Sequence, residues 1–594
     1  MPPPYPDITA PLRAQQIEDA LADLAASFPA LCTRTVFTGR TSEGRSHSYI
    51  KIAHGTGTRP AVLVTGGVHA REWAPPDALV TFARNLLVAY QAGADITFGS
   101  MQVTPLSGAP VTYRPWKIKA ADVTAIVNTL DLYVFPLVNP DGREFDLTPP
   151  ITVPGWRKNR SPQPGGQFGV DLNRNFNIIW KFEDYYDVPL YNARYHEDPA
   201  STNVADDTYR GPREHSEQET RNVESLLDTL PIHYYADVHM AGRNVLFSWG
   251  LEENGNDTTM NFQNAAFKGK RDGLKSGDPA LPAGRTDYKE FLPDALPHRV
   301  RTRAEFIANA MRDKILESAN GGTLPAASST QQFHSQYTVG QSAFLYLPLA
   351  GPNSGVSDDY ACSRQFVQAN RMPIFAYTLE TGHAEEQLFH CAYTDPPGHF
   401  RKINREIHAA LLALLQIAVT SPLAKPPSSG PCLVATVTMG DASHPDVVFL
   451  RALRDERLRA TPRGARLADL LDRAYYSISP PIAGYLDGHP RARTAVRQLV
   501  IRPLVAALRR ILGPGSAGAS GSPGSPGSSG SSGSSGSGLG IPGGSGNPGG
   551  PGGPGSPGNA ASPGGLGGSG SPGGAGGAGG TGGSGSSGAG AGGR

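Results

Sequence analysis

The chain has 594 residues, and its 53 lysine and arginine residues balance 52 aspartate and glutamate residues to a formal net charge of +1. This balance excludes a general attraction to nucleic acid or to anionic membranes, so we expect no nucleic-acid partner. The cysteines contain no C-x-x-C pair, which favours neither a zinc finger nor a disulfide scaffold; they are Cys32, Cys362, Cys391 and Cys432. Cys362 and Cys391 could pair in an exported protein, and the sequence leaves the redox compartment open.

The N-terminus, Met-Pro-Pro-Pro-Tyr-Pro-Asp, has no basic region followed by an apolar core, so we expect no signal peptide. No uninterrupted apolar stretch reaches the roughly 20 residues that span a bilayer. The sequence as written therefore predicts a soluble, cytoplasmic protein. Non-classical export and a misassigned start are the alternatives that remain open.

Composition divides the chain into four segments. Residues 1–423 have the mixed composition of a large α/β domain and are numerous enough to bury a substantial core. Residues 424–430 are rich in proline, serine and glycine, which is typical of a linker. A second module follows at 431–512, and a tail rich in glycine, serine and proline occupies 513–594.

Apolar runs of strand length alternate with helical patterns along the first segment. From the N-terminus onward, we predict helices at 12–28, 216–229 and 401–418 and strands at 61–65, 132–138, 233–238 and 374–379. This alternation predicts an α/β fold with a mixed, largely parallel central sheet covered by helices on both faces. Ligands of such folds bind at the ends of strands. We interpret the long polar and basic stretch at 251–322 as an insertion of unassigned role that could flank the cleft.

A candidate metal site begins in the segment His-Ala-Arg-Glu-Trp. Its His69 and Glu72 are zinc-type ligands at a spacing that lets both face one point, and they follow the apolar strand 61–65 and two glycines. A catalytic zinc usually takes three protein ligands and leaves one position open for water. His239, at the end of the third predicted strand, is the best candidate for the third ligand. A single histidine after a strand is more often packed or solvent-facing, so this assignment depends on the other motifs.

Four further motifs follow in a fixed order, and they are Val138-Asn-Pro-Asp-Gly142, Trp156-Arg-Lys-Asn-Arg160, Val170-Asp-Leu-Asn-Arg-Asn-Phe176 and Tyr377-Thr-Leu-Glu-Thr-Gly382. With the His-Ala-Arg-Glu-Trp segment, this series resembles the zinc metallocarboxypeptidases of the pancreatic carboxypeptidase A/B type, from about residue 5 to about residue 418. The resemblance implies an enzyme that uses one Zn2+ per catalytic domain to hydrolyse the C-terminal bond of peptides or proteins. It implies His69, Glu72 and His239 as the metal ligands.

The resemblance also implies roles for four polar residues. Glu380 matches the general base, because a carboxylate beside a zinc-bound water can take its proton and pass it to the leaving amine. Arg157 matches the arginine that polarises the scissile carbonyl and stabilises the oxyanion. Asn173 and Arg174 match the pair that binds the C-terminal carboxylate, which a planar guanidinium can hold bidentately. The alternatives are a solvated strand end for Glu380, a basic surface patch for Arg157, and a polar turn for Asn173 and Arg174.

Three further residues concern substrate recognition. Arg71 resembles a secondary substrate-binding arginine. Residues 344–360 resemble the family's mobile tyrosine loop, in which we choose Tyr346, although the interval is several residues too long and another residue could replace it. Asp358 aligns with the residue at the base of the side-chain pocket in B-type enzymes. A buried carboxylate there would need a cationic partner, which predicts a preference for C-terminal lysine or arginine.

The C-terminal segments are less informative. Residues 432–512 resemble the bacterial module named for its Cys-Phe-Ile box, although Leu433 and Val434 replace two residues of that box. Residues 491–510 contain six arginines in an amphipathic pattern, which favours a packed helix with a solvated basic face over contact with an anionic membrane surface. In the tail, glycine recurs every third position over long stretches, as in collagen. The scarcity of proline and of charged pairs favours a disordered spacer over trimerisation through the tail.

Three functions remain open. The leading hypothesis is a zinc-dependent carboxypeptidase. A second is a zinc amidohydrolase that acts on a cell-wall peptide or an acylated amino acid. A third, of a different class, is a binding protein that uses the tail for display or oligomerisation. The third hypothesis predicts loss of a metal ligand or of the base, and the chain retains His69, Glu72, His239 and Glu380.

Overall fold

The computed structural model of the protein describes residues 8–420 except 58, 105–109, 153–154, 276, 279–287, 294–299, 320–336, 345–350, 369–370, 383–389 and 394–397, together with 438–439, 446, 450, 486 and 489–506. Contacts within the chain define two units, Met1–Gly515 and Ser516–Arg594. The described residues all belong to the first unit. The collagen-like glycine pattern of the tail, with its favoured interpretation as a disordered spacer and the alternative of trimerisation, lies outside them.

The described helices, in chain order, are α1 (Ala14–Ser27), α2 (Ala74–Ala92), α3 (Ala120–Thr129), α4 (Pro140–Asp146), α5 (Val188–Tyr195), α6 (Gln218–Thr229), α7 (Val300–Ser318), α8 (Ser357–Val367), α9 (His399–Thr420) and α10 (Pro490–Val496). The described strands are β1 (Cys32–Val36), β2 (Ser48–Ile52), β3 (Ala61–Gly66), β4 (Ile96–Phe98), β5 (Met101–Val103), β6 (Val111–Tyr113), β7 (Trp116–Ile118), β8 (Asp131–Phe135), β9 (Ile232–Met240), β10 (Asn244–Phe247), β11 (Asn254–Gly255), β12 (Glu290–Phe291), β13 (Thr338–Gln341) and β14 (Phe375–Thr381).

Within the described part of the chain, eight strands form one sheet in the order β1-β2-β8-β3-β9-β14-β10-β13. The neighbours β8, β3, β9 and β14 run parallel, and so do β10 and β13. The other three pairings, β1 with β2, β2 with β8 and β10 with β14, are antiparallel. The prediction of a mixed, largely parallel sheet is therefore confirmed. Because β3, β9 and β14 are parallel neighbours, they end side by side at one edge.

Two groups of helices pack against the central strands. In one group α2 and α7 pack on α9, and these helices also contact β9, β10 and β14. In the other group α6 packs on α8, which in turn contacts β9 and β14. Every residue of β3 is buried, as its apolar run requires of a strand covered on both faces. The sheet thus supplies a rigid platform for groups placed at its strand ends.

The predicted elements correspond to β3, β8, β9 and β14 and to α1, α6 and α9. The prediction at 132–138 extends too far, because β8 ends at Phe135. Pro136 follows it, and a proline cannot donate a backbone hydrogen bond to a neighbouring strand.

The interpretation of residues 251–322 as an insertion needs correction. Helix α7 lies in this stretch and packs against α9 and β10. Its residues Ile307, Met311 and Ile315 are fully buried, and their spacing of four places them on one helix face. Charged residues lie between these apolar ones, so the overall composition of the stretch is polar and does not indicate a buried helix face. Part of the stretch therefore belongs to the core.

The cysteines of the described chain are free. Cys32, Cys362 and Cys391 are each buried thiols, so the pairing considered for Cys362 and Cys391 is not formed. Burial raises the pKa of the Cys32 thiol to about 12. Burial also raises the pKa of the Cys362 thiol, so Cys32 and Cys362 are protonated side chains of the core.

Within residues 431–512, predicted as a second module, the described residues lie mainly in α10 and the helical stretch after it. Ile501 and Val505 pack against Met439, whereas Leu499 and Val500 are exposed. The solvent side therefore carries apolar side chains as well as the expected arginines. No described helix combines the length and the apolar character needed to cross a membrane. The preference for a packed helix over contact with a membrane surface stays a prediction.

Candidate active site

The loop after β3 carries the first two candidate ligands. β3 ends at Gly66, and Gly67 has a positive φ of 63°, a conformation that favours glycine. A Cβ at Gly67 would also lie 2.7 Å from Cγ of Pro76 in the first turn of α2. The glycine therefore lets the chain turn closely between sheet and helix, and this connection contains His69 and Glu72.

His69, Glu72 and His239 converge on one point. Oε1 of Glu72 lies 2.6 Å from Nδ1 of His69, and Oε2 lies 3.0 Å from Nδ1 of His239. The two Nδ1 atoms are 3.2 Å apart. All three side chains are buried, and their candidate ligand atoms lie within 4.8 Å of one another. The structure thus brings together the three residues that the sequence predicted as metal ligands.

The donor set and its surroundings fit a zinc ion. Catalytic zinc sites use three imidazole or carboxylate ligands of this kind. Nε2 of His69 faces Oδ1 of Asp171 at 3.2 Å, and Nε2 of His239 faces Oδ2 of Asp237 at 3.1 Å. A carboxylate behind each ring favours a proton on Nε2 and leaves the Nδ1 lone pair for a metal. Burial would raise the pKa of Glu72, but His69 and His239 hold it well below its usual range, so this ligand is ionised.

Glu380 lies beside this cluster at the end of β14. In the parallel pairing of β9 and β14, Glu380 is the register partner of His239. Neighbouring strands are about 4.8 Å apart, and register partners project to the same face. Desolvation raises the pKa of the Glu380 carboxyl; the charge of His239 opposes this rise, and the carboxylate of Glu72 supports it. Glu380 is the one partly buried residue of β14, whose other residues are buried.

Asp171 joins Arg157 to the same cluster. Nε of Arg157 donates a hydrogen bond of 3.0 Å to Oδ2 of Asp171, whose other carboxylate oxygen faces His69. Burial would lower the pKa of Arg157, but Asp171 and Glu72 hold it above its usual value. The backbone carbonyl of Arg157 accepts a hydrogen bond of 3.0 Å from the N–H of Ala70. A charged guanidinium is therefore fixed beside the ligand loop, as stabilisation of an oxyanion requires.

The Asn-Pro-Asp-Gly motif after β8 supports this arrangement. Nδ2 of Asn139 donates to the carbonyl oxygens of Val68 and Lys158, each at 3.1 Å. Its Oδ1 accepts a hydrogen bond of 2.9 Å from the N–H of Gly142 and caps α4. A Cβ at Gly142 would lie 2.5 Å from the carbonyl oxygen of Lys158. One asparagine thus joins the ligand loop to the segment that carries Arg157.

Asn173 and Arg174 lie in a short 3-10 helix directly after Asp171. The N–H of Asn173 donates to Oδ1 of Asp171 at 2.9 Å, and its Oδ1 accepts from the N–H of Ser357 at 2.8 Å. Nη1 of Arg174 donates to the carbonyl oxygen of Asn173 at 2.7 Å, and Nη2 donates to Oδ1 of Asn353 at 2.6 Å. The guanidinium is therefore held by neutral oxygens that a carboxylate could replace.

A family model described as zinc carboxypeptidase matches residues 17–406, which are 390 of the 594 residues. The chain belongs to the zinc carboxypeptidase family. It is 29% identical to carboxypeptidase A2 of Rattus norvegicus over 243 residues, which cover 40% of this chain and 46% of that protein. It is 30% identical to carboxypeptidase B of Homo sapiens over 233 residues, which cover 38% of this chain and 45% of that protein. The chain thus spans less than half the length of these curated relatives.

Among solved structures, the thrombin activatable fibrinolysis inhibitor is similar with a TM-score of 0.46 and 15% sequence identity, over 70% of this chain and 75% of that chain. The family match ends before the second module and the tail. The resemblance of residues 432–512 to the Cys-Phe-Ile-box module therefore stays a prediction.

The remaining candidate recognition residues of this member of the zinc carboxypeptidase family differ in their surroundings. Asp358 is buried in α8, and its Oδ2 accepts a hydrogen bond of 2.9 Å from Oγ of Ser342. Burial raises the pKa of Asp358, and the hydrogen bond from Ser342 opposes the rise. Nη1 of Arg71 donates to Oδ2 of Asp207 at 2.9 Å. Tyr346 lies outside the described residues, so its choice as the mobile tyrosine stays a prediction.

Sequence reasoning missed three residues of the site. Asp171 lies within the motif Val170-Asp-Leu-Asn-Arg-Asn-Phe176, but the sequence does not indicate its contacts with His69 and Arg157. Asp237 precedes His239 by two residues, a spacing that places both side chains on one face of a strand. Asn353 carried no signal, because only the folded chain brings it to Arg174.

Proposed function

We propose that the protein is a zinc-dependent metallocarboxypeptidase that hydrolyses the C-terminal peptide bond of peptides or proteins. The register pairing of Glu380 with His239 carries this proposal, because it places a carboxylate beside a cluster of three metal-ligand candidates. Membership of the zinc carboxypeptidase family supports it. The ligands would be His69, Glu72 and His239.

Zinc bound by these three residues would supply Lewis-acid polarisation of the scissile carbonyl and of water. Glu380 takes a proton from the attacking water and gives a proton to the leaving nitrogen as the C–N bond breaks. Arg157 donates hydrogen bonds to the carbonyl oxygen while negative charge develops on it. The water oxygen ends in the new carboxyl group of the shortened peptide, and the released product is one free amino acid.

Arg174 and Asn173 would bind the carboxylate of the substrate's last residue. A guanidinium can hold both oxygens of a carboxylate with two parallel hydrogen bonds. In the structure, Arg174 donates to the neutral oxygens of Asn173 and Asn353, which are weaker acceptors than a carboxylate. An internal residue of a peptide offers no carboxylate at this position. This contact would therefore restrict the enzyme to the chain end.

Asp358 supports a preference for C-terminal lysine or arginine. The residue is 2% exposed, and the side-chain contact described for its carboxylate is with the neutral hydroxyl of Ser342. Burial of a carboxylate is unfavourable unless a cation or several donors compensate it. The side chain of a basic residue in the pocket would provide that cation.

The decisive experiment measures the release of C-terminal residues by the full-length protein and by Glu380→Gln, with zinc content determined for both. We expect one zinc per chain in each protein and a loss of roughly 10²–10⁴-fold in kcat for the variant, as for removal of a general base. Glu406→Gln is a control for the same change of side chain, because Glu406 is a buried glutamate of α9 that accepts from the hydroxyl of Tyr337 at 2.8 Å. Wild-type activity in Glu380→Gln would overturn the assigned base.

Peptides with free and amidated C-termini separate the carboxypeptidase from an amidohydrolase. We expect the free peptides to be cleaved and the amidated ones to resist, because Arg174 would lack its carboxylate. Equal cleavage of both would favour the amidohydrolase. A wild-type protein that holds zinc and cleaves neither would favour a binding protein.

A further inference from the structure

A buried carboxylate lies behind each candidate histidine ligand. Asp171 faces His69 and also binds Arg157, so it serves both the metal cluster and the oxyanion site. Asp237 lies behind His239, with Oδ2 at 3.1 Å from Nε2. This contact is an ion-pair distance without the alignment of a hydrogen bond. The proposed reaction assigns no role to Asp237.

Two hydroxyl groups hold the carboxylate of Asp237. Oγ1 of Thr65 donates to Oδ1 at 2.8 Å, and Oγ of Ser357 donates to Oδ2 at 2.7 Å. Asp237 is 0% exposed, so water does not compensate its charge. Two neutral donors compensate part of the cost of burying this carboxylate, and a positive partner would stabilise it further. His239, with a metal ion on its other nitrogen, is in the position to be that partner.

The strand geometry produces this contact. Asp237 and His239 are alternate residues of β9, so their side chains share one face. Thr65 is the register partner of Asp237 in the neighbouring strand β3. Ser357 is the first residue of α8, which packs on β9. Two strands and one helix therefore fix the carboxylate behind the ring.

We propose that Asp237 is a positioning residue that fixes the ring of His239, with Nδ1 directed to the metal, and so slows the loss of the ion. This inference rests on the proposed zinc function. A partner behind a metal-bound histidine fixes its tautomer and ring orientation and increases its basicity. Asp237 performs for His239 what Asp171 performs for His69, but from the same strand as the ligand.

Ser357 connects this support to the proposed substrate site. Its N–H donates to Oδ1 of Asn173 at 2.8 Å, and its hydroxyl donates to Asp237 at 2.7 Å. Asn173 is one of the two residues proposed to bind the substrate's carboxylate. One serine therefore joins that amide to the carboxylate behind the third metal ligand.

The test measures the rate at which zinc passes from the full-length protein to an excess of a chelating dye. Asp237→Asn keeps the shape of the side chain and removes its charge. Loss of such an outer partner typically weakens metal affinity by about 10–100-fold, so we expect zinc loss to accelerate by this order. Cobalt(II) in place of zinc gives a second readout, because its visible absorption depends on ligand geometry. We expect this spectrum to change in Asp237→Asn.

Glu406→Gln is the control for a general effect of altering a buried carboxylate. Glu406 lies in α9, pairs with Lys402 at 2.8 Å and accepts from Tyr337. We expect wild-type zinc loss and a wild-type cobalt spectrum in this control. If Asp237→Asn does not fold, Ser357→Ala and Thr65→Val each remove one hydroxyl donor, and each should accelerate zinc loss by a smaller factor.

An unchanged rate of zinc loss together with an unchanged cobalt spectrum in Asp237→Asn, or in both hydroxyl variants, would overturn the inference alone. The proposed function would then still be supported by a loss of activity with retained zinc in Glu380→Gln. A wild-type protein without stoichiometric zinc would overturn the proposed function and this inference together.

Discussion

The site has a proposed metal end, formed by His69, Glu72 and His239 with Glu380 and Arg157, and a proposed reading end for the substrate, formed by Asn173, Arg174 and Asp358. The two ends are built in different ways. At the metal end, Glu380 and the histidines lie at the ends of adjacent buried strands or directly after them. At the reading end, Arg174 extends from a three-residue 3-10 helix and binds Asn353 in an irregular segment. Elements of a sheet place side chains more rigidly than loops do. Recognition can therefore change in this architecture while the metal cluster stays in place.

Two residues link the ends and set a limit to their independence. The side chain of Asp171 contacts His69 and Arg157 and accepts from the backbone of Asn173. Ser357 reaches the other histidine ligand through Asp237. The two ends are thus only partly independent. Substitutions at each end can measure how strongly a change at one end affects the other.

The largest effect is expected at the metal end, from His69→Ala. Removal of one of three ligands should reduce zinc from one per chain to almost none and activity to the background rate, because zinc supplies the polarisation of the carbonyl. Zinc content and peptide hydrolysis measure both. His408→Gln is the control, since His408 is a buried histidine of α9 whose Nδ1 contacts the carbonyl oxygen of Asn404 at 2.7 Å. Full activity in His69→Ala without zinc would contradict the proposed role of the metal end.

Arg157→Ala should have the next largest effect. Its guanidinium lies beside the ligands without belonging to the cluster of three, so zinc should be retained. Loss of an oxyanion donor lowers kcat by about 10²–10³-fold. Arg160→Ala is the control, because the guanidinium of Arg160 lies 3.8 Å from the ring centre of Phe145. A rise in KM with an unchanged kcat would mean that Arg157 acts in substrate binding, at the reading end, and not on the oxyanion.

The sequence predicted the metal end well because its residues occupy short motifs at predicted strand ends. His69 and Glu72 lie in one motif, and Glu380 lies in another, directly after the predicted strand 374–379. The pairing of β9 with β14 was not readable, because it joins segments far apart in the chain. Register decides which side chains meet, and a shift by one residue would turn Glu380 away from His239. The sequence therefore predicted the members of the cluster but not their contacts.

The reading end was less predictable for a physical reason. The contacts of Arg174 with Asn353 and of Asp358 with Ser342 arise where irregular segments pack together. Neither hydrophobic periodicity nor a sequence motif predicts such contacts, because loops follow no repeating pattern. The choice of Tyr346 depends on the same kind of segment and remains a prediction.

Arg174→Ala tests the reading end with an intermediate effect. A hydrogen bond to a charged group contributes about 1.5–3 kcal/mol, which corresponds to roughly 10–150-fold in KM for peptides with a free C-terminus. Zinc content should stay at one per chain, since the metal cluster does not include Arg174. Arg213→Ala, at an exposed arginine, is the matched control. Loss of zinc in Arg174→Ala would show that the two ends are coupled more tightly than Asp171 and Ser357 imply.

Asp358→Asn should have the smallest effect and should change selectivity rather than chemistry. The amide oxygen of asparagine can still accept from Ser342, so the fold around α8 should persist. Without the charge, the preference for C-terminal arginine over leucine, measured as a ratio of kcat/KM values, should fall about tenfold, the lower limit for a hydrogen bond to a charged group. The leucine substrate serves as the internal control, because its side chain gains nothing from a carboxylate in the pocket. An unchanged ratio would mean that another residue selects the substrate side chain, and a parallel loss on both substrates would mean that Asp358 supports the fold of the pocket instead of its specificity.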